Sequence, residues 1–342
     1  RQFGSGDMLL ERLINTGRHI EVQLAGDQHG NLVHLFERDC SGQRRRQKIL
    51  EEAPAPELSD PLRNALHEAA LRLAHAVAYD NVGTVEFLVD GEEFFLLEMN
   101  TRLQVEHGVS EAICGVDLVE VQINSARGLP LSIDQSILQR NGHAIEARVY
   151  AEDVAAGFLP ATGTIVSWGE PSLPGLRTDS GVCTGSTISH YYDGLLCKLV
   201  VHAETREEAT RQMQQALDQL QLSGITTNQG FLKAVLGSAR WVECLSISTI
   251  ESHLPHFLET TSPTSENIAM SLAAATLWQF KQQPPAADVS FWPGARQYLR
   301  SQSWALGGET KHVNWRWSAA ESFQFPDLGI NVDLLSNGTA SN

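Results

Sequence analysis

Between Glu86 and His107 the chain reads EFLVDGEEFFLLEMNTRLQVEH, and Glu98, Asn100, Arg102, Gln104 and Glu106 fall on every second position. Side chains two apart on an extended segment share a face. Two acids, two amides and a guanidinium therefore line up at the end of an apolar ribbon. The DGE tripeptide at 90–92 predicts a hairpin turn. A three-residue loop with Gly91 at positive φ pairs Val89 with Glu93 and sets Glu86 opposite Leu96. It gathers Glu86, Leu88, Glu98 and Asn100 on one face, whereas a two-residue loop sends Glu86 to the other. Once gathered, Glu86, Glu98 and Asn100 offer the oxygen ligands that Mg2+ takes beside substrate phosphates. The competing reading is the solvated polar side of an edge hairpin. Arg102 and Gln104 next to Glu106 suit a small oxyanion with a general base at hand. Their alternative is a surface salt bridge between Arg102 and Glu106, of little energetic worth.

The elements that must position these groups follow from periodicity and punctuation. Residues 8–16 read as a short helix or hinge, 18–27 as a strand, and the HGN turn at 29–31 returns the chain along 32–39 as a hairpin. Pro54 and Pro56 break the chain, and Ser59 before Pro61 opens a helix carrying Leu62, Leu66, Ala70 and Leu73 at helical spacing. One helix is expected over 109–127, ending near Gly128 and Pro130, and strand-rich sequence from 142 to 153. Gly157, Pro160, Gly163, Gly169 and Pro174 mark turns, and residues 204–222 form an amphipathic helix. TTSPTSEN at 260–267 reads as a linker, followed by a helix over 267–283 and, in HVNWRWSAAESFQF, the opening of a β-rich module.

Composition limits the function classes. The 342 residues are 42% hydrophobic and 19% charged, the mixture of a globular chain. A net charge of −16 argues against a nucleic-acid partner, and no run is long and apolar enough to span a membrane. Five scattered cysteines with no CxxC spacing suit free thiols in a reducing, intracellular compartment, cytoplasm or mitochondrial matrix. Lys48 precedes every other lysine by 150 residues, inside the basic run RRRQK at 44–48. That run reads either as a solvated turn or as a local anion site.

Four segments, RDCSGQRRRQKILEEAPAP (38–56), EMNTRLQVEH (98–107), GHAIEARVYAED (142–153) and GFLPATGTI (157–165), together resemble the signature stretches of biotin carboxylase, the ATP-grasp component of biotin-dependent carboxylases. The likeness runs in order over about residues 1–240. It implies an α+β fold: the C-terminal part of an ATP-grasp domain at 1–135, then a biotin carboxylase C-terminal antiparallel-sheet domain at 136–245. A linker and the start of a mediating domain, helix plus β, follow at 246–342. The implied activity is ATP-dependent carboxylation of carrier-bound biotin by bicarbonate through carboxyphosphate.

Position by position, the resemblance makes Glu86, Glu98 and Asn100 ligands of Mg2+ or Mn2+, with Glu86 and Glu98 also serving ATP. Arg102, Gln104 and the backbone of Val105 match the bicarbonate pocket, reached by Lys48. Glu106 matches the base, and Arg148 the arginine that holds the biotin enolate oxygen. Glu11, Arg12, Leu13 and Ile14 match the adenine hinge, His19 and Gln43 the ribose side, Leu88 the base, and Arg46 the phosphates. Arg46 stands where the family usually has His, Arg12 where it has Lys, and Gly108 where Pro is common.

Neither a glycine-rich phosphate lid nor a biotinyl-lysine motif occurs in the chain, which opens at Arg1. It is therefore expected to be an N-terminally truncated fragment, inactive or weak alone, working with a biotin carboxyl carrier domain and a carboxyltransferase subunit, as a homodimer. GVDLVEVQINSARGLPL (115–131) resembles the α subunits of 3-methylcrotonyl-CoA and propionyl-CoA carboxylases. A non-catalytic assembly subunit is the alternative reading. A carbamoyl-phosphate synthetase relative is disfavoured by the Arg148 segment and by YYD at 191–193.

Overall fold

The computed structural model describes residues 6, 8, 10–261, 265–282, 300–306, 309–319 and 322–333. They fall into two compact units, 1–261 and 262–342.

The first unit is organised by one eight-stranded sheet. Its numbered strands are β1 (Arg18–Gly26), β2 (Leu32–Arg44), β3 (Gln47–Ala53), β4 (Asn81–Asp90), β5 (Glu93–Asn100) and β6 (His143–Tyr150). With strands Leu176–Ser180 and Leu195–Ala203 at one end, the order runs Leu176–Ser180, Leu195–Ala203, β6, β3, β2, β1, β4, β5. Every pairing is antiparallel. The β3–β6 ladder joins strands from either side of the boundary expected between residues 135 and 136 into one sheet.

Alternation decides the faces. In β1, Ile20, Val22 and Leu24 pack with Val85, Phe87 and Val89 of β4 against helix α1 (Asp60–Ala76) through its Leu62, Leu66, Ala70 and Ala74. Ser59 starts that helix as expected, its hydroxyl accepting from Leu62 N at 3.3 Å. The intervening residues His19, Glu21 and Gln23 turn to the opposite face. There helix α2 (His107–Cys114) packs through Val109 and Ile113 on Ala53, Ala144 and Val200. Farther along the sheet, Ile145, Ala147 and Val149 meet helix α4 (Arg206–Gln219) through Ala209, Met213 and Leu217.

The single helix expected over 109–127 is instead two, α2 and α3 (Leu118–Ala126). Gly115 adopts φ +68 and closes α2 by donating its N–H to Glu111 O. Asp117 then caps α3, its carboxylate accepting from Glu120 N at 2.9 Å. Residues 10–17 carry no regular structure beyond a bend at 15–16, so the 8–16 stretch is not a helix where described.

The hairpin register also differs from expectation. Asp90 pairs with Glu93 around a two-residue turn, Gly91 at φ +63, so that Val89 meets Phe94 and Phe87 meets Leu96. Left alone, this register turns Glu86 away from Glu98. A bulge between Glu86 and Phe87 of β4, opposite the extra residue Leu97, shifts the ladder by one and sets Glu86 opposite Glu98 and Thr84 opposite Asn100.

The second unit packs helix Ser265–Gln282 on a four-stranded antiparallel sheet, Arg300–Leu306, Glu309–Ala319, Ser322–Phe325 and Ile330–Asp333. Leu272, Ala273 and Leu277 meet Val313, Trp315, Phe323 and Phe325 in its core. The FWPGARQYL stretch at 291–299 lies outside the described residues.

Candidate active site

On the sheet face opposite α1, charged residues stack strand by strand. Arg38, Glu21, Glu86 and Glu98 are successive cross-strand partners on β2, β1, β4 and β5. Such a row places carboxylates side by side, and only interleaved cations make it tolerable. Arg38, with no exposed surface, supplies one: its guanidinium donates to Gln23, Ser110, Glu21, Thr84 and Gln104 at 2.6–3.2 Å. Lys48 supplies the other, donating to Glu21 Oε1, to Glu106 Oε1 at 2.7 Å and to Glu86 Oε1 at 3.3 Å. Burial works against the Lys48 charge, but the surrounding acids outweigh it and its pKa is raised. Burial likewise pushes the Glu21 carboxyl up, and Lys48 and Arg38 bring it below its ordinary value.

Glu86 is the hub. Its Oε2 meets His19 Nε2 at 2.7 Å, and its Oε1 accepts from Gln104 at 2.7 Å and from Asn100 at 2.8 Å. Burial would raise its pKa, yet the His19 hydrogen bond and Lys48 hold it at about 2. Asn100 also donates to Glu98 at 3.0 Å. Glu86, Glu98 and Asn100 thus converge as the register requires, Glu86 buried and Glu98 exposed. The all-oxygen set of carboxylates and an amide fits a hard divalent cation, with its open side toward solvent where phosphates would add ligands.

Glu106 sits at the position preceding α2, but its side chain does not cap the helix. It is held between Lys48 and Arg148, whose Nη2 donates to Glu106 Oε2 at 2.9 Å. The surface salt bridge between Arg102 and Glu106 does not form: Arg102 is exposed and its guanidinium donates to Leu103 O at 3.4 Å. Val105 is exposed beside it, and its carbonyl accepts from Lys198.

Gln43 reaches His19 Nδ1 at 3.5 Å because β2 bulges around Gly42, where a Cβ would stand 2.5 Å from Leu50 O. Leu88 crosses the sheet end against Gly17, whose added Cβ would meet Leu88 Cδ1 at 2.7 Å. Ile14 is buried, while Glu11 and Leu13 are exposed. Arg12 lies 4.0 Å from Glu93 and over the Phe95 ring. Arg46 is exposed in the tight β2–β3 turn, at φ +67 beside Arg45 at +47.

The structure therefore joins Lys48, Glu86, Glu98, Asn100, Gln104, Glu106, Arg148, His19 and Gln43 in one network, whereas Glu11, Arg12, Leu13, Arg46 and Arg102 are exposed. Sequence reasoning missed Glu21, Gln23, Arg38, Glu51, Glu146 and Lys198. The alternation of His19, Glu21 and Gln23 in β1, and of Glu146 and Arg148 in β6, was the available signal.

Two family models cover most of the first unit: "Carbamoyl-phosphate synthase L chain, ATP binding domain" over residues 1–134 and "Biotin carboxylase C-terminal domain" over 146–250. The chain is 47% identical over 298 residues to the mitochondrial methylcrotonoyl-CoA carboxylase subunit alpha of Oryza sativa subsp. japonica, covering 84% of this chain and 40% of that one. Biotin carboxylase 2 of Bacillus subtilis (strain 168) is 50% identical over 227 residues, 66% of this chain and 51% of that one. Among solved structures, the biotin carboxylase domain dimer of Hydrogenobacter thermophilus 2-oxoglutarate carboxylase, in complex with MgADP, ADP and bicarbonate, superposes with TM-score 0.72 at 40% identity. That match covers 75% of this chain and 56% of the other. The chain spans about half or less of the length of these curated relatives. Among the described residues, no helix is long and apolar enough to cross a membrane. With both domain matches in series, and with Lys48, Glu86, Glu98, Asn100, Glu106 and Arg148 drawn together on one sheet face, the chain belongs to the biotin carboxylase family.

Proposed function

We propose that this chain carries the bicarbonate-activating and biotin-facing part of an ATP-dependent biotin carboxylase, the first half-reaction of an acyl-CoA carboxylase. The observation that carries this reading is the placing of Glu106 between Lys48 and Arg148, one lysine away from the Glu86–Glu98–Asn100 oxygen set. A base so held is aimed, with a cation on either side. Glu86, Glu98 and Asn100 would hold Mg2+ or Mn2+, which would supply positive charge against the nucleotide phosphates. Arg102, Gln104 and the Val105 backbone would bind bicarbonate, and Glu106 would take its proton. Arg148 would then be free to stabilise the enolate oxygen of biotin. The hinge at Glu11–Ile14, with His19, Gln43, Arg46 and Leu88, would take the nucleotide.

The domain reading that goes with this is 1–135, 136–245 and 246–342, the last beginning a mediating domain. A biotin carboxyl carrier domain, a carboxyltransferase subunit of methylcrotonoyl- or propionyl-CoA type and a second copy of the chain are the partners it calls for, in cytoplasm or mitochondrial matrix. Bicarbonate-dependent ADP release by the assembled full-length enzyme is the test. Glu106→Gln and Arg102→Ala should each abolish it, and parent-like turnover in both variants would end this reading.

A further inference from the structure

Behind Arg148 lies a pair of acids that no step above uses. Glu51 of β3 and Glu146 of β6 are direct cross-strand partners, and neither has exposed surface. None of their four carboxylate oxygens receives a well-directed hydrogen bond among the described residues. Their cations approach as ion pairs. Arg148 Nη2 lies 2.6 Å from Glu51 Oε1, Arg148 Nε 3.9 Å from Glu146 Oε1, and Lys198 Nζ 3.4 Å from Glu146 Oε2. Gly108, at the start of α2, presents no side chain to that last oxygen, although a Cβ there would stand 3.4 Å away.

The same two cations reach forward to consecutive residues of the site loop. Arg148 donates to Glu106 Oε2 at 2.9 Å, and Lys198 donates to the Val105 carbonyl. Locally, Glu51, Glu106 and Glu146 thus face Arg148 and Lys198, while the next cation, Lys48, is divided among Glu21, Glu86 and Glu106. Two adjacent buried carboxylates whose cations are shared with Glu106 and Asp179 resist ionising together. We propose that Glu51 and Glu146 hold one proton between them and act as a positioning pair, setting Glu106 through Arg148 and the Val105 carbonyl through Lys198.

Other groups facing the pair are few. They are the Cys40 thiol of β2, Lys48 of β3, Tyr150 of β6 beside Arg148, His107 of α2 near Lys198, and Asp179, 3.4 Å from Lys198. Burial pushes the Glu51 carboxyl up to about 7; Arg148 opposes it and Glu106 adds to it. Burial, then Glu51, places Glu146 well above the ordinary range. The positioning role rests on the biotin carboxylase reading, whereas the shared proton does not.

Two measurements separate those parts. Carboxyl-labelled glutamate spectra of this chain at neutral pH should show a protonated carboxyl whose signal shifts in both Glu51→Gln and Glu146→Gln, since each variant removes the partner that shares the proton. A parent spectrum without such a carboxyl, or a signal left unmoved by either variant, overturns the shared proton. Should neither variant fold, the parent titration decides alone. In the full-length enzyme, the Glu51→Gln/Glu146→Gln double variant should raise the KM for bicarbonate about tenfold or more and leave that for ATP unchanged. The single variants should shift the acid limb of the pH profile while moving KM far less. An unchanged bicarbonate KM in the double variant overturns the positioning role. A parent enzyme without bicarbonate-dependent turnover would instead refute the functional reading, with the spectra still deciding the pair.

Discussion

Glu86 and Glu98 face each other across the same two strands, yet they live in different media. Glu86 is buried, touched by His19, Lys48, Gln104 and Asn100, whereas Glu98 is exposed and takes one hydrogen bond, from Asn100. The cause is their place in the sheet. β4 has β1 on its far side, and β5 is the terminal strand. One half of the oxygen set is thus built into the interior at the cost of a charge network, and the other is left open for ligands. Preorganisation is concentrated where burial makes it strong, and access where burial would forbid it.

The comparison is sharpest at Arg38. Arg38→Met strips Glu21 of one of its two buried cations, leaving Lys48 alone, and should cost about 3–5 kcal/mol in denaturant unfolding, whereas Glu98→Gln should stay within about 0.5 kcal/mol. Equal losses would mean that the two halves are not distinct. Lys48→Met comes next. It should destabilise the fold at neutral pH, and the loss should shrink on acidification, because protonated Glu21 and Glu86 no longer need the cation; a deficit independent of pH contradicts the network. Third, Glu51 has a folded-state pKa near 7, above its ordinary value of 4.5. Its contribution to stability is therefore complete below about 4.5 and lost as pH rises through about 7. Unfolding free energies across that window should lose this downward slope in Glu51→Gln, and an unchanged slope assigns it elsewhere. On the exposed side, Glu98→Gln should weaken Mg2+-dependent nucleotide binding by the full-length enzyme about tenfold, read by calorimetry, without moving the unfolding midpoint. The smallest expected effect on stability is that of Arg102→Ala, within about 0.5 kcal/mol, since among the described residues its guanidinium reaches only Leu103 O.

Much of the site was legible because its residues recur at spacing two on strands: Glu98 to Glu106 in sequence, and Lys48 within its basic run. Register was not legible. The expected three-residue loop reached the right pairing of Glu86 with the oxygen set by a wrong route, since the turn has two residues and the bulge at Leu97 supplies the missing shift. A bulge leaves no mark in apolar alternation when both neighbours, Leu96 and Leu97, are leucine. The break between α2 and α3 was readable in principle, as Gly115 followed by Asp117 and Glu120 combines a helix stop with a helix start.

The sequence by itself determined which side chains are available, on which strands, and which face of each strand is apolar, because these depend only on residue type and local period. Only the tertiary structure decided that Arg38, Glu21, Glu51, Glu146 and Lys198 belong to the same charge system as Lys48 and Arg148. Their meeting depends on β3 pairing with β6 and β1 lying between β2 and β4. Whether a buried carboxylate is ionised, shared or neutral is set by the cations that such long-range pairings bring within a few ångströms, and no local pattern encodes that distance.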